Sequence, residues 1–96
     1  MKLRWTERAA NDLVGIGEYI ARDDPKAARA WVEKLRQRAV RASKAPGTGR
    51  VVPELARDDV REVFVRSYRI VYRVVNKGIV MLTVFEGHHL LGDLED

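Results

Sequence analysis

No cysteine occurs among the 96 residues. Disulfides, thiolate nucleophiles and cysteine-held metals are thereby excluded, and a reducing, cytoplasmic setting fits. Proline occupies three positions and aromatic residues amount to 7%. Apolar runs are only a few residues long, as at Ile79–Val84. A membrane helix needs roughly 20, so no membrane association is expected. The opening Met1-Lys2-Leu3-Arg4-Trp5-Thr6-Glu7-Arg8 has no apolar core of a signal peptide. The glycines offer no phosphate loop: Gly47-Thr48-Gly49-Arg50 has the wrong spacing and follows a helical pattern instead of preceding one. The only histidines, His88 and His89, are adjacent. On a regular strand they point to opposite faces, so neither a metal site nor a cofactor is expected.

What remains is enough for one small α+β domain over 1–96. Hydrophobic residues make up 46% and charged residues 33%, so the chain can build a core and carry a polar surface. The net charge of +4 is unevenly placed. Lys26–Lys44 holds seven basic residues against Glu33 alone. Arg50–Arg73 holds six arginines against Glu54, Asp58, Asp59 and Glu62. Thirteen of the eighteen basic residues are arginine, whose planar fork suits carboxylate or phosphate. A basic surface of this kind points to an acidic protein or a nucleic acid as partner, or else to a plainly solvated helix face.

Periodicity places the elements. Lys2–Trp5 alternates as a short strand. Thr6 is a helix cap, and Ala9, Leu13, Ile16 and Ile20 make an apolar stripe behind it. Gly15 and Gly17 within that stripe admit close packing by a second helix. Asp24-Pro25 caps and starts that second helix, with Ala28, Trp31 or Val32, Leu35, Ala39 and Ala42 as its stripe. The short break between the two helices implies an antiparallel hairpin. Pro46-Gly47-Thr48-Gly49 ends the helical region, and the period then becomes two. Glu62–Arg66, Arg69–Val74 and Ile79–Phe85 form a three-stranded meander. Asn76-Lys77-Gly78 is a tight turn with Gly78 suited to positive φ, and Ser67 centres the other turn. A helical hairpin on a small antiparallel sheet follows. Its core should set Trp31 and Leu35 against Leu13 and Ile16, with Phe64, Tyr72 and Val74 beneath. Gly92–Asp96 reads as a loose acidic end.

Arg61, Arg66, Arg69 and Arg73 fall on adjacent strands, and Arg69 and Arg73 share a face. With Glu54 before the sheet and His88 and His89 after it, a metal-free RNA cleavage is conceivable. The carboxylate would take the 2′-OH proton, an arginine would hold the phosphate and an imidazole would protonate the leaving oxygen. The alternative is that Glu54 and Glu62 simply pair with arginines.

Trp5-Thr6, Ala10, Asp12-Leu13, Ile16 and Tyr19-Ile20 resemble the start of the RelE/ParE toxin superfamily. So do Gly49–Leu55, Arg61-Glu62 and Tyr68-Arg69-Ile70-Val71-Tyr72-Arg73 in their later positions. The resemblance implies a toxin of a type II toxin–antitoxin system, neutralised by a ParD-like or similar antitoxin. The long helices look more like the ParE branch, which acts on DNA gyrase and blocks replication. The RelE branch cleaves mRNA on the ribosome. In nuclease members the position of Glu54 holds a general base and that of Arg69 contacts the scissile phosphate. Glu86 and His89 stand where many members carry histidine and arginine, which argues against cleavage here. Contacts to target or antitoxin are expected from Arg29, Arg36, Arg61, Arg66, Arg69 and Arg73.

Overall fold

The computed structural model describes residues 2–87. His88, His89 and the acidic 92–96 end lie outside the described residues. Strand β1 (Lys2–Trp5) leads into helix α1 (Glu7–Ala21) and helix α2 (Pro25–Lys44). A single 3-10 turn (Pro46–Thr48) precedes β2 (Arg50–Val51), β3 (Val60–Val65), β4 (Tyr68–Val75) and β5 (Gly78–Glu86). The strand order is β1-β5-β4-β3-β2. The expected meander is β3-β4-β5, antiparallel throughout. β1 joins its long strand β5 in parallel, and the two-residue β2 extends the other edge. The fold is α+β, as the periodicity implied.

Both helices start as their caps dictate. The Thr6 hydroxyl accepts from the Ala9 amide at 3.0 Å, and the Asp24 carboxylate accepts from Lys26 and Ala27 at 3.1 Å each. Gly17 lets the helices close: a Cβ there would stand 3.0 Å from Val32 Cγ2. Gly15 has no such role, because it faces open space. Helix α1 is also pinned to β5 where β1 has ended. The Asp12 carboxylate accepts from the Thr83 hydroxyl and, at 3.1 Å, from the Val84 amide. The Thr6 hydroxyl donates to the Leu82 carbonyl at 3.3 Å. Leu82 is the residue skipped between the pairs Val71↔Thr83 and Tyr72↔Met81, so its carbonyl needs this partner.

The sheet is covered on both faces. Ala9, Leu13, Leu35, Ala39 and Ala42 pack on Val63, Ile70, Tyr72, Ile79, Met81 and Val84, with Ile16 and Val74 at the margin. Trp31 sits at the rim, its ring 5.5 Å from that of Tyr68. Phe64 is not beneath the helices. Val63 and Val65 take the helix side of β3, so alternation sends Phe64 to the other face, 43% exposed. That face carries a second cluster of Val52, Val60, Val71, Val80 and Leu82, with Leu55 and Phe85 against it. Tight turns join the strands. Lys77, not Gly78, carries the positive φ (64°), and Arg66 does so beside Ser67 (54°). Gly78 is needed for another reason: a Cβ there would overlap the Lys2 carbonyl.

Candidate functional site

The outer face of the sheet gathers the charged residues. On β4, Arg69 stands on the same face as Glu62 of β3, which lies two residues from its direct partner Phe64, and opposite Phe85 of β5. The segment between β2 and β3 brings Glu54 above them. Its bend is set by the Leu55 and Ala56 amides, both donating to the Val52 carbonyl, with Ala56 at φ 52°. Arg61 braces the base of this segment, donating to the Gly49 carbonyl at 2.9 Å and the Asp58 carbonyl at 3.1 Å. Tyr72 braces the segment before β2. Its buried hydroxyl donates to the Pro46 carbonyl at 2.7 Å and accepts from the Gly49 amide at 3.1 Å.

Arg69 is held from two sides. Its Nε donates to Glu62 Oε1 at 2.7 Å, while Nη1 and Nη2 reach the two oxygens of Glu54 at 3.0 and 3.1 Å. Its guanidinium lies 5.3 Å over the Phe85 ring, and its side chain is 7% exposed. Glu62 is fully buried and takes a second arginine, Arg50, at 2.5 Å. Arg50 in turn lies 5.3 Å over Phe64. Two arginines and two glutamates thus form one neutral chain. Hydrogen bonding from Arg69 holds the Glu54 carboxyl below the usual carboxylate range. A general base works best with a pKa near the working pH, so this carboxylate is a weak one. Arg69 has three of its donor bonds committed within the protein.

The other expected residues are dispersed. Arg73 follows Arg69 on the same face and acts electrostatically on Asp59. Arg66 occupies the β3-β4 turn, exposed. Arg29 and Arg36 lie elsewhere, on the rim of an open groove of about 890 Å³ between the helices. Trp5, Leu13, Val14, Ala21 and Val32 line it, and Val14 is 58% exposed. Arg36 pairs there with Glu33 at 2.7 Å. His88 and His89 lie outside the described residues. Sequence reasoning foresaw pairing for Glu62 but not its burial, and it gave Arg50 and Asp12 no role. The signal for Glu62 was its alternation with Val60 on one face of β3, opposite the buried Val71 of β4. Among the described residues no group of three or more histidines or carboxylates is arranged for a metal, and no helix is long and apolar enough to cross a membrane.

The chain is a helical hairpin laid on a mixed five-stranded sheet whose outer face carries Arg50, Arg69 and Arg73. The pattern of the ParE toxin of type II toxin–antitoxin systems matches residues 3–90, and the chain belongs to that family. It is 34% identical over 92 residues to a provisionally named toxin, Y4kP, of Sinorhizobium fredii, covering 91% of this chain and 88% of the relative. It is also similar to a chain in the structure of the chromosomal ParDE toxin–antitoxin system of P. aeruginosa. That likeness has a TM-score of 0.74 and 25% identity, over 90% of this chain and 95% of the other.

Proposed function

We propose that this toxin works as a single cytoplasmic domain that inhibits DNA gyrase and so blocks replication, until a ParD-like antitoxin neutralises it. Membership of the ParE family carries the reading. The pairing of Arg69 with Glu54 and Glu62 supports it against RNA cleavage. A phosphate seeking Arg69 must compete with two carboxylates already there, and the base expected of Glu54 is weakened by the same contact.

For the antitoxin, the groove between α1 and α2 offers apolar walls with Arg29 and Arg36 on its rim. An amphipathic, acid-rich segment fits that chemistry and would fold on docking. The test of target is a pair of assays on one preparation of full-length toxin. Supercoiling by gyrase should fall with added toxin, while ribosome-programmed mRNA stays intact. Intact supercoiling with cleaved mRNA would replace this reading by RNA cleavage of the RelE type.

A further inference from the structure

Helix α2 has two basic flanks of different character. One borders the groove, where Arg36 is paired with Glu33. The other carries Lys34, Arg38 and Arg41, spaced by four and three and so aligned in one stripe. No aspartate or glutamate occurs between Glu33 and Glu54. Among the described residues no carboxylate lies within ion-pairing distance of Arg38 or Arg41, whereas Arg36, Arg50 and Arg57 each have one and Arg69 has two. Arg38 is half-buried. Burial and then the neighbouring Arg41 both weaken its hold on the proton. A partly desolvated cation beside a like charge is costly, and an incoming anion relieves that cost. Favourable alignment with the helix dipole accounts for Arg41 and Lys44 in the last turn. It does not account for Lys34 and Arg38, further back.

We infer that this flank of α2 is a track for the phosphate backbone of double-stranded DNA. From Lys34 to Arg41 the helix rises about 10 Å, and its three cations on long side chains can each meet one phosphate of the backbone. The stripe offers charge without an apolar seat. Trp31, at its start, already has Lys34 over its ring at 4.9 Å and Tyr68 beside it at 5.5 Å. An acidic protein segment needs apolar anchors, and these lie in the groove on the other flank. An unpaired base needs an open aromatic face to stack on. A duplex backbone needs neither. The inference rests on the gyrase reading for its purpose, since a toxin seated on gyrase lies beside DNA, but DNA binding itself is measured without gyrase.

The test is fluorescence anisotropy of a short labelled duplex with full-length toxin freed of antitoxin, from about 50 to 200 mM salt. Three phosphate contacts give a slope of log K against log salt of about −2.7. The double variant Arg38→Gln/Arg41→Gln should bring the slope to about −0.9. Arg22→Gln/Lys26→Gln removes the same charge at the other end of the hairpin and should leave the slope unchanged. Arg38→Lys, which keeps the charge, and Arg41→Gln alone, which should lower the slope by about one, serve if the double variant does not fold. Absence of salt-dependent binding would overturn the inference. So would equal losses in the two double variants, or displacement of the duplex by polyglutamate at lower charge equivalents than by unlabelled duplex. Duplex binding in a toxin that leaves gyrase uninhibited would instead count against the gyrase reading alone.

Discussion

Glu54 grips Arg69 with both carboxylate oxygens, at 3.0 and 3.1 Å, and this contact fastens the segment after β2 to the outer face of the sheet. On the far side Glu62 holds the same guanidinium, so Arg69 is a hinge pin between a buried carboxylate and a half-exposed one. The segment it fastens carries Val52 and Leu55, which cover the second apolar cluster. Charge pairing and burial therefore act together on one loop.

Removing the Glu54 charge should have a small, pH-dependent effect on stability. Glu54 is 39% exposed, so Glu54→Gln should cost less than about 1 kcal/mol at neutral pH. The folded-state pKa of Glu54 is depressed by Arg69. The contribution is therefore complete above the ordinary carboxylate pKa of about 4.3 and is lost as pH falls through the folded value. Urea unfolding of both proteins at a series of pH values should show their difference vanish on acidification. Glu33 and Asp59, also depressed by their side-chain hydrogen bonds, give an acid-side loss that both proteins share. A difference that grows on acidification would contradict the assignment.

Glu62 should behave otherwise. Its side chain is fully buried and accepts from both Arg50 and Arg69. Truncation to alanine leaves the buried Arg69 facing an empty site on one side, and breaking such a pair costs about 3–5 kcal/mol. Domains of this kind have about 5–15 kcal/mol in total. Glu62→Ala should therefore be marginal in thermal melts while Glu54→Gln is near wild type. Equal melting of the two would mean that burial, here decisive, has been misjudged.

The elements were legible because their signals are local. Thr6 and Asp24 announce helix starts, and Ile70, Tyr72 and Val74 alternate cleanly toward the helices. Phe64 was misplaced because a run of apolar residues, Val63-Phe64-Val65, does not say which alternate set is inward. The positive φ falls on Lys77 because Gly78 already pairs with Val75 as the first residue of β5, and Gly78 is needed instead for the close approach of β1, a contact between residues far apart in sequence. The two-residue β2 has no period to read. At the candidate site, residue types pointed to Glu54 and Arg69, but their mutual distance depends on a loop whose shape no local pattern encodes.

Leu35 tests the main core. It is fully buried among Leu13, Val63, Tyr72 and their neighbours. Leu35→Ala should cost about 2–5 kcal/mol, according to how far the site collapses. Chemical denaturation gives the number directly. Wild-type-like stability would show that the hairpin does not seat on the sheet through this residue.

Gly78 tests the parallel edge. A methyl group there would meet the Lys2 carbonyl oxygen, which is backbone and cannot swing aside. Gly78→Ala should push β1 off β5, exposing Leu3 and Trp5, with a loss of about 1–3 kcal/mol. Hydrogen exchange should report it as faster exchange confined first to Lys2–Trp5. Unchanged protection in β1 would show that the strand accommodates the methyl group.

The choice of target can be forced through the same residues. A nuclease needs Glu54 as base and a histidine as acid, and removing either group costs about 10²–10⁴-fold in rate. A gyrase inhibitor makes and breaks no bond, and its binding energy sits in a few contacts among which arginine is common. Arg69→Ala decides nothing, since it removes both a phosphate holder and a buried structural pin. Glu54→Gln keeps the shape of the side chain and removes its charge and basicity, at a stability cost below about 1 kcal/mol. Expressed without antitoxin, Glu54→Gln and the double variant His88→Gln/His89→Gln should both remain toxic. Cells should filament and induce their DNA-damage response before translation declines. Loss of toxicity in both variants, with folding intact and translation the first process to stop in the wild type, would transfer the protein to the RNA-cleaving reading.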